Sequence, residues 1–443
     1  MMCKIRINNS VDKVFKYREL IKFMMLAALI LLGVYNFIFS VVAFGFAIYL
    51  CLTMHLEDSL CMLYFILPMA TIFKLAPGQT SLFTLVELFW VIVAFYKKNM
   101  KATKQDMIVI TYTVFLIVCQ CLNGGFNINA TIKLIFGLLI VSSLEKIKYK
   151  ECYSKLFLSY IIGIIVSSLI GCIKFPMFNI SLYIGAKTER LVGAEPGDLI
   201  ERFSGLYGDP NYYSVNLIIA MVLVLILYKN NILKMFSTII LLFVFTGFAA
   251  MTGSKSALFM LIIPVTLYMY ICIKKKQYVV FSVSLFIIGV AIGMVLTGKI
   301  PAFSVAVHRL ASGKGDFNLL TTGRGDKWIE FITYMLNRPW MLVFGGSLLN
   351  IILNGGAPHN TYIDMLFQLG IVGTIWLILI LFTEYRRVRN GRFHMTIINY
   401  SVIGVVAVMY FFLSELQYID FSFHIALGII VLTLNFDKES PNK

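Results

Sequence analysis

Two arginines and a histidine in polar stretches of this chain have side chains that could bind and transform an anionic substrate. Arg202 and Arg324 each lie near glycines, in E-R-F-S-G-L-Y-G-D-P-N (201–211) and T-T-G-R-G-D-K-W (321–328). A guanidinium binds phosphate oxygens in a planar bidentate fork that an ammonium cannot copy. His359, in P-H-N-T-Y-I-D (358–364), is the side-chain type best suited to take a proton near neutral pH. The pattern indicates phosphate binding combined with general-base chemistry.

Each arginine also has a purely structural explanation. Arg202 could pair with Glu195 or Glu201, whereas beside the N–H groups of a helix start it would form an anion site. Arg324 could extend its guanidinium to lipid headgroups from the membrane surface. For each arginine, the structural role and phosphate binding both stay open at this point.

Caps explain other polar residues of these motifs. Asp209 followed by Pro210 predicts the N-cap and first residue of a helix. Thr361, with Asp364 three residues later, predicts a capping box at the start of another helix. These caps leave His359 unexplained at the mouth of that helix.

A lysine and a second histidine are further candidates. Lys255, in T-G-S-K-S (252–256), could anchor a helix at the membrane interface, because a cation at the bilayer centre costs about 2.5–3.5 kcal/mol. Lys255 could equally add a third positive charge to a phosphate site. His308 competes with His359 for the role of base.

Composition predicts the elements that must position these residues. Of 443 residues, 59% are hydrophobic and the mean hydropathy is +0.85, and apolar runs of about 20 residues recur, each long enough to cross a bilayer. The net charge of +16 could suggest nucleic-acid binding, but the basic residues form short clusters between apolar runs, as the positive-inside rule requires. The clusters are 97–104, 146–150, 274–276 and 386–392. The chain is therefore predicted to be an all-α, polytopic membrane protein that binds membrane lipids and no nucleic acid.

Hydropathy predicts fourteen spans within a single integral membrane domain, 1–443, with both termini in the cytoplasm. Two large polar loops, 174–212 and 298–358, then lie outside, and apolar spacing predicts an amphipathic helix at about 326–337. The count could be as low as twelve, and 20–53 could form one span, since only 33–36 interrupt it. Lys133 and Glu87 are interpreted as isolated charges within spans. The predicted spans are 20–34, 36–53, 59–74, 81–96, 106–122, 129–145, 155–173, 212–228, 236–251, 255–272, 278–297, 360–383, 397–412 and 416–434.

Four motifs resemble, in their order, those of the bacterial O-antigen polymerase and O-antigen ligase family (Wzy and WaaL). They are R-F-S-G-L-Y-G-D-P-N, T-G-S-K-S-A, T-T-G-R-G-D-K-W and P-H-N-T-Y-I-D-M-L-F-Q-L-G-I-V-G, between about 200 and 370. The resemblance implies a GT-C-like, metal-independent glycosyltransferase of the bacterial inner membrane, with a periplasmic active site and no cofactor. Its donor would be a glycan on undecaprenyl diphosphate.

The resemblance also implies roles for individual residues. Arg202 and Arg324 would hold the diphosphate, and His359 would activate the acceptor hydroxyl. Lys255 stands where many relatives carry an arginine, so its contact with phosphate would not be bidentate. Three further residues would shape the substrate site: Asp209, Asn211 and Asn360.

The preferred function is an O-antigen polymerase, which transfers the glycan to the non-reducing end of another lipid-linked repeat unit. Family polymerases are sequence-diverse and often rich in Phe, Ile, Lys and Asn, as this chain is. The alternatives are an O-antigen ligase, which transfers the glycan to lipid A–core, a flippase or transporter of the lipid-linked unit, and a non-catalytic scaffold. A chain-length regulator and a flippase are expected as partners of the polymerase.

Overall fold

A computed structural model gives the fold of this chain. It describes residues 17–77, 79–97, 104–122, 127–144, 147, 149–172, 188–190, 199–296, 324–346, 358–389, 395–413 and 420–434. These parts of the chain are almost entirely helical. The helices are α1 Tyr17–Gly33, α2 Phe37–Thr53, α3 Leu56–Ile66, α4 Leu82–Lys97, α5 Lys104–Leu122, α6 Ile128–Ser143, α7 Tyr149–Cys172, α8 Pro210–Lys229, α9 Met235–Met251, α10 Lys255–Met260, α11 Ile262–Lys274, α12 Tyr278–Leu296, α13 Arg324–Leu336, α14 Pro339–Phe344, α15 Thr361–Val388, α16 Ile397–Phe412 and α17 Asp420–Thr433.

A helix occupies each of the fourteen segments predicted as spans. Within the described residues, five helical stretches are long and apolar enough to cross a membrane: Lys104–Leu122, Cys152–Cys172, Pro210–Lys229, Lys255–Lys274 and Thr361–Val388. The fold class is therefore the predicted one, a helical bundle with membrane character. The number of spans, and the side of the membrane on which each loop lies, stay predictions.

The ambiguous segment 20–53 forms two helices. Asn36 lies between α1 and α2, and its side chain accepts a hydrogen bond from the N–H of Ile38 at 3.0 Å. This cap starts α2 independently of α1. The two helices then pack closely, because a β-carbon at Gly33 would lie 2.1 Å from the hydroxyl of Ser40.

The predicted span 59–74 is wrong in its second half. The helix α3 ends at Ile66, and Leu67–Met69 form a 3₁₀ turn containing Pro68. Proline has no N–H to donate and disfavours helical backbone in the preceding residue. Residues 70–77 and 79–81 are therefore non-helical and lead into α4.

Two short strands lie in the first polar loop, where the sequence predicted none. Thr188–Arg190 (β1) pairs antiparallel with Leu199–Glu201 (β2), with Glu189 opposite Ile200. Strands of three residues carry almost no periodic signal, which is why hydropathy missed them. The second strand ends immediately before Arg202.

The central helix is α8. It is apolar on all sides and its residues from Tyr212 to Tyr228 are buried, as expected of a helix surrounded by others. It packs against α7, α9, α10, α11 and α16. The first turn of α8 therefore lies at the centre of one end of the bundle.

Helices α13 and α14 pack as a unit onto the start of α15. Phe331 of α13 lies edge-on to Phe367 of α15, with ring centroids 4.8 Å apart. The long helix α15 is interrupted at Gly370, which has φ +67°. There the N–H of Gly346 donates to the carbonyl of Phe367 at 2.7 Å. The α13–α14 unit thus packs against α15 at this interruption.

Candidate functional site

Arg202 lies where the second strand ends, and it is buried, with 8% of its surface exposed. Its Nε donates to the backbone carbonyl of Thr252 at 2.7 Å, and its Nη2 donates to the side-chain oxygen of Asn211 at 2.7 Å. These bonds fix the plane of the guanidinium between the end of α9 and the start of α8. A buried guanidinium oriented in this way is preorganised for an anion.

The turn between Arg202 and α8 is compact. Gly205 has φ +54° and lies so close to Tyr213 that a β-carbon would be 2.3 Å from its ring. Only glycine fits such a position. Asp209 is the N-cap of α8, accepting from the N–H of Asn211 at 2.8 Å, and Pro210 follows it. The predicted cap is therefore confirmed, and it accounts for Asp209 without a substrate.

Lys255 is the first residue of α10, half-buried and three residues after Thr252. Its neighbours Ser254 and Ser256 are buried, and their hydroxyl oxygens are 2.8 Å apart. The ammonium is thus attached to the same turn that receives Arg202. The Arg202 group is defined here as Arg202, Asn211, Thr252 and Lys255.

Arg324 is the first residue of α13, so this helix starts two residues before the predicted amphipathic segment 326–337. The Arg324 side chain is half-buried, and its Nη1 donates to the carbonyl of Phe412, the last residue of α16, at 2.7 Å. A C-terminal carbonyl of a helix carries partial negative charge and suits a cation. Arg324 therefore lies over the end of α16.

His359 lies just before α15 with φ +50°, a left-handed backbone conformation that is uncommon for a residue with a side chain. The preceding residue is fixed, since the indole N–H of Trp328 donates to the carbonyl of Pro358 at 2.8 Å. The following residue, Asn360, is buried. Strained backbone held on both sides in this way is common at functional sites.

The predicted capping box at Thr361 and Asp364 is wrong. The N-cap of α15 is Asn360, whose side chain accepts from the N–H groups of Tyr362 at 3.0 Å and Ile363 at 3.1 Å. The Thr361 hydroxyl instead donates to the carbonyl of Leu413. Asparagine and threonine are both good caps, and the sequence placed the helix start one residue too late.

The carboxylate of Asp364 is also used differently from the prediction. It accepts from the side-chain amide of Gln368, one turn further along α15. The Arg324 group is defined as Arg324, His359, Asn360 and Thr361. Two of its members bond to the end of α16, Arg324 to the carbonyl of Phe412 and Thr361 to that of the next residue, Leu413.

Aromatic stacking links the two groups. Phe259 lies on α10 one turn after Lys255, and its ring stacks on that of Phe412 with centroids 5.7 Å apart. The carbonyl of Phe412 is the acceptor for Arg324. The starts of α8, α10 and α15 and the ends of α9 and α16 thus form one end of the bundle, called the site end. The predicted residues, including both arginines, Lys255 and His359, all lie at the site end.

Sequence reasoning missed several groups that position these side chains. Thr252, Phe412 and Leu413 act through backbone carbonyls, which have no sequence signal. Trp328 lies in the predicted amphipathic helix, and its indole donates to the carbonyl of Pro358 while its ring lies edge-on to that of Phe411 at 5.2 Å. The competing candidate His308 lies outside the described residues.

The fold and the site define a multi-pass helical membrane protein that gathers cationic side chains and a histidine at one end of its bundle. Residues 240–378 match the protein-family model described as O-antigen ligase, so this part of the chain is similar to that family. The matched region contains Lys255, Arg324 and His359, and Arg202 precedes it. No curated protein and no solved structure gave a significant match in the other two comparisons.

Proposed function

We propose that this protein is a surface-polysaccharide polymerase of the O-antigen type. It transfers a growing glycan from undecaprenyl diphosphate to the non-reducing end of another lipid-linked repeat unit. The site end faces the periplasm, and both termini lie in the cytoplasm. A flippase that delivers the lipid-linked units and a chain-length regulator complete the set of partners.

The proposed reaction is a glycosyl transfer. A hydroxyl oxygen of the acceptor sugar attacks the anomeric carbon of the donor, and His359 takes the proton of that hydroxyl. The bond between the anomeric carbon and the phosphate oxygen breaks, and its electron pair leaves with the diphosphate. Positioned bases of this kind contribute about 10²–10⁴-fold to a rate.

The cationic groups stabilise the leaving diphosphate. Arg202 and Arg324 present guanidinium groups oriented by backbone carbonyls, and Lys255 adds a point charge from the first turn of α10. Preorganised donors aimed at developing negative charge give one of the largest contributions to catalysis. Because a diphosphate is already a good leaving group, charge stabilisation by the protein replaces the acid that other glycosyl transfers need.

The single observation that supports this proposal most is the contact of Phe259 with Phe412. It joins the turn that receives Arg202 to the helix end that receives Arg324. Both guanidinium groups and His359 are thereby held on one connected set of helix ends.

The test is turnover of a defined lipid-linked repeat unit by the purified protein, with a chelator present. The unmodified protein is expected to produce a ladder of longer glycans and to release undecaprenyl diphosphate. The His359→Gln variant is expected to lose about 10²–10⁴-fold of that rate while binding donor normally. A well-folded His359→Gln protein with full activity would remove His359 from the mechanism.

O-antigen ligase activity is a second candidate, because the matching family model carries that description. A ligase uses the same donor and the same leaving-group chemistry, but its acceptor is lipid A–core. Deletion of the gene separates the two. Loss of a polymerase leaves core capped with a single repeat unit, whereas loss of a ligase leaves core uncapped.

A further inference from the structure

A second cationic cluster lies near the site end, outside the two groups described above. Lys74 is half-buried in the non-helical segment between α3 and α4, and Lys133 is half-buried in the second turn of α6. Lys133 lies within electrostatic range of both Lys74 and Glu87 of α4. The sequence interpretation of Lys133 and Glu87 as isolated charges is therefore wrong. The three side chains are called the Lys74 cluster.

The Lys74 cluster carries an excess of positive charge. Glu87 is buried, with 1% of its surface exposed, and a buried carboxylate requires a nearby cation. Lys133, on the neighbouring helix α6, is a cation within electrostatic range of Glu87. Lys74 adds a second ammonium within electrostatic range of Lys133. Burial lowers the pKa of Lys74, so a bound anion would favour its charged form.

Two contacts place Lys74 beside the Arg202 loop. The hydroxyl of Thr71, three residues before Lys74, donates to the carbonyl of Leu206. The hydroxyl of Ser167 accepts from the N–H of Leu206 at 3.1 Å and donates to the carbonyl of Pro68 at 3.3 Å. The segment that carries Lys74 therefore lies against the turn between Arg202 and Asp209.

Lys133 is placed on the other side, towards α17. Gly137 lies so close to Ser422 that a β-carbon there would be 2.3 Å from the serine side chain. Lys133 is one helical turn before Gly137, on the same face and nearer the start of α6. Ser422 is itself in the first turn of α17, the helix that follows α16 and its contacts with Arg324 and Thr361. The Lys74 cluster therefore lies at the same end of the bundle as the two groups of the site.

We propose that Lys74 and Lys133 form a second anion site, which holds the diphosphate of the lipid-linked acceptor. This assignment rests on the proposed polymerase function. The attacking hydroxyl lies at the far end of the acceptor's repeat unit, so the acceptor's own diphosphate must be held apart from the reacting atoms. The acceptor's diphosphate, unlike the donor's, does not leave during the reaction. A lysine ammonium, which is a point charge on a flexible side chain, can hold it without the bidentate contact that an arginine makes.

The experiment counts bound lipid. Native mass spectrometry of the purified protein in phosphatidylcholine nanodiscs measures how many molecules of undecaprenyl diphosphate each chain binds. Two equivalents are expected for the unmodified protein. The Lys74→Ala variant is expected to bind the second equivalent at least about tenfold more weakly, the scale of a lost hydrogen bond to a charged group. The Lys74→Arg variant is expected to retain both.

Variants elsewhere supply the controls. Lys274→Ala, at an exposed lysine at the opposite end of the bundle, is expected to bind two equivalents. Arg324→Ala is expected to weaken binding of the first equivalent of undecaprenyl diphosphate and to leave binding at the Lys74 cluster unchanged.

Lys133 is changed only together with Glu87, as Lys133→Met with Glu87→Gln, because removal of Lys133 alone would leave the buried Glu87 without this nearby cation. This pair is expected to weaken the second equivalent, and the thermal unfolding temperature of each variant checks folding.

Three results would overturn the site. They are a single equivalent in the unmodified protein, two undiminished equivalents in Lys74→Ala, and loss of the second equivalent when phosphatidylglycerol replaces phosphatidylcholine. The last would assign the cluster to a bulk lipid headgroup. Failure of the polymerase proposal gives a different result, since the protein would then bind two equivalents without elongating any glycan.

Discussion

The indole N–H of Trp328 donates to the backbone carbonyl of Pro358 at 2.8 Å, across thirty residues of chain. Trp328 lies one turn after Arg324 on α13, and Pro358 immediately precedes His359. One hydrogen bond therefore fixes the spacing between the helix that carries an arginine of the site and the residue proposed as its base.

Replacement of Trp328 by phenylalanine removes this bond and keeps an aromatic ring next to Phe411. We expect turnover to fall by about 10- to 100-fold, because small displacements of a catalytic group are costly, while donor affinity changes little. Trp340→Phe is the matched control, since Trp340 is 54% exposed on α14. Equal turnover in the two variants would show that the Trp328 bond does not position His359.

Arg324 tests the leaving-group role. Arg324→Ala is expected to lower turnover by about 10²–10³-fold, the cost of removing one preorganised donor. Arg324→Lys is expected to restore part of this loss, because it keeps the charge without the fork. The control is Arg338→Ala, at an exposed arginine whose guanidinium lies 3.8 Å from the ring centre of Tyr334. If turnover falls as much in Arg338→Ala as in Arg324→Ala, the effect comes from removing any positive charge on α13 or next to it, and not from Arg324 in particular.

Asn360 separates a structural role from a binding role. Asn360→Ala is expected to destabilise the protein by about 0.5–2 kcal/mol through loss of the α15 cap, and Asn360→Ser is expected to restore both stability and turnover. The control Asn36→Ala removes the cap of α2 and should cost similar stability with turnover unchanged. If Asn360→Ser is stable but inactive, the amide also contacts substrate.

Gly370 tests the packing of the α13–α14 unit against the interruption in α15. Its φ is +67°, and a β-carbon would lie 2.3 Å from the backbone nitrogen of Gly345. Gly370→Ala is expected to cost about 1–3 kcal/mol from the backbone conformation alone. Gly247→Ala on α9 meets nothing within 4 Å and is expected to stabilise the helix by about 0.5–1 kcal/mol. Thermal unfolding of the two variants in the same detergent compares them, and equal unfolding temperatures would contradict the close contact.

The lowered pKa of Lys74 gives a prediction for pH dependence. The folded chain releases this proton at lower pH than the unfolded chain, so the unfolded chain binds more protons between the two pKa values. The free energy of unfolding therefore rises with pH across that alkaline window. Lys74→Met is expected to reduce the rise of the free energy of unfolding with pH. Lys274→Met, at an exposed lysine, is the control and is expected to leave that rise unchanged. The same deprotonation weakens anion binding, so the second equivalent of undecaprenyl diphosphate should dissociate as the pH rises.

Hydropathy was enough to place the helices, because a bilayer requires long apolar runs whose backbone groups are paired internally. It located α8 at 212–228, where the structure has Pro210–Lys229. It could not find the early end of α3, because the residues after Pro68 remain apolar and buried although their backbone leaves the helix. An apolar run indicates that its residues are buried, but it does not by itself show that they are helical.

The candidate residues were identifiable because arginine, lysine and histidine are conspicuous in polar loops between apolar helices. Their partners were not, since Arg202 and Arg324 bond to the carbonyls of Thr252 and Phe412, which any residue could supply. The proximity of Lys133 to Glu87 was hidden for a different reason. The two residues lie on different helices, α6 and α4, and no spacing along a single helix encodes which neighbours a bundle brings together.

The connection from α14 to His359 is anchored at both ends. At one end Gly346 donates to the carbonyl of Phe367, and at the other Pro358 accepts from Trp328. Any tilt of the α13–α14 unit on α15 would therefore move both anchors together, and the imidazole with them.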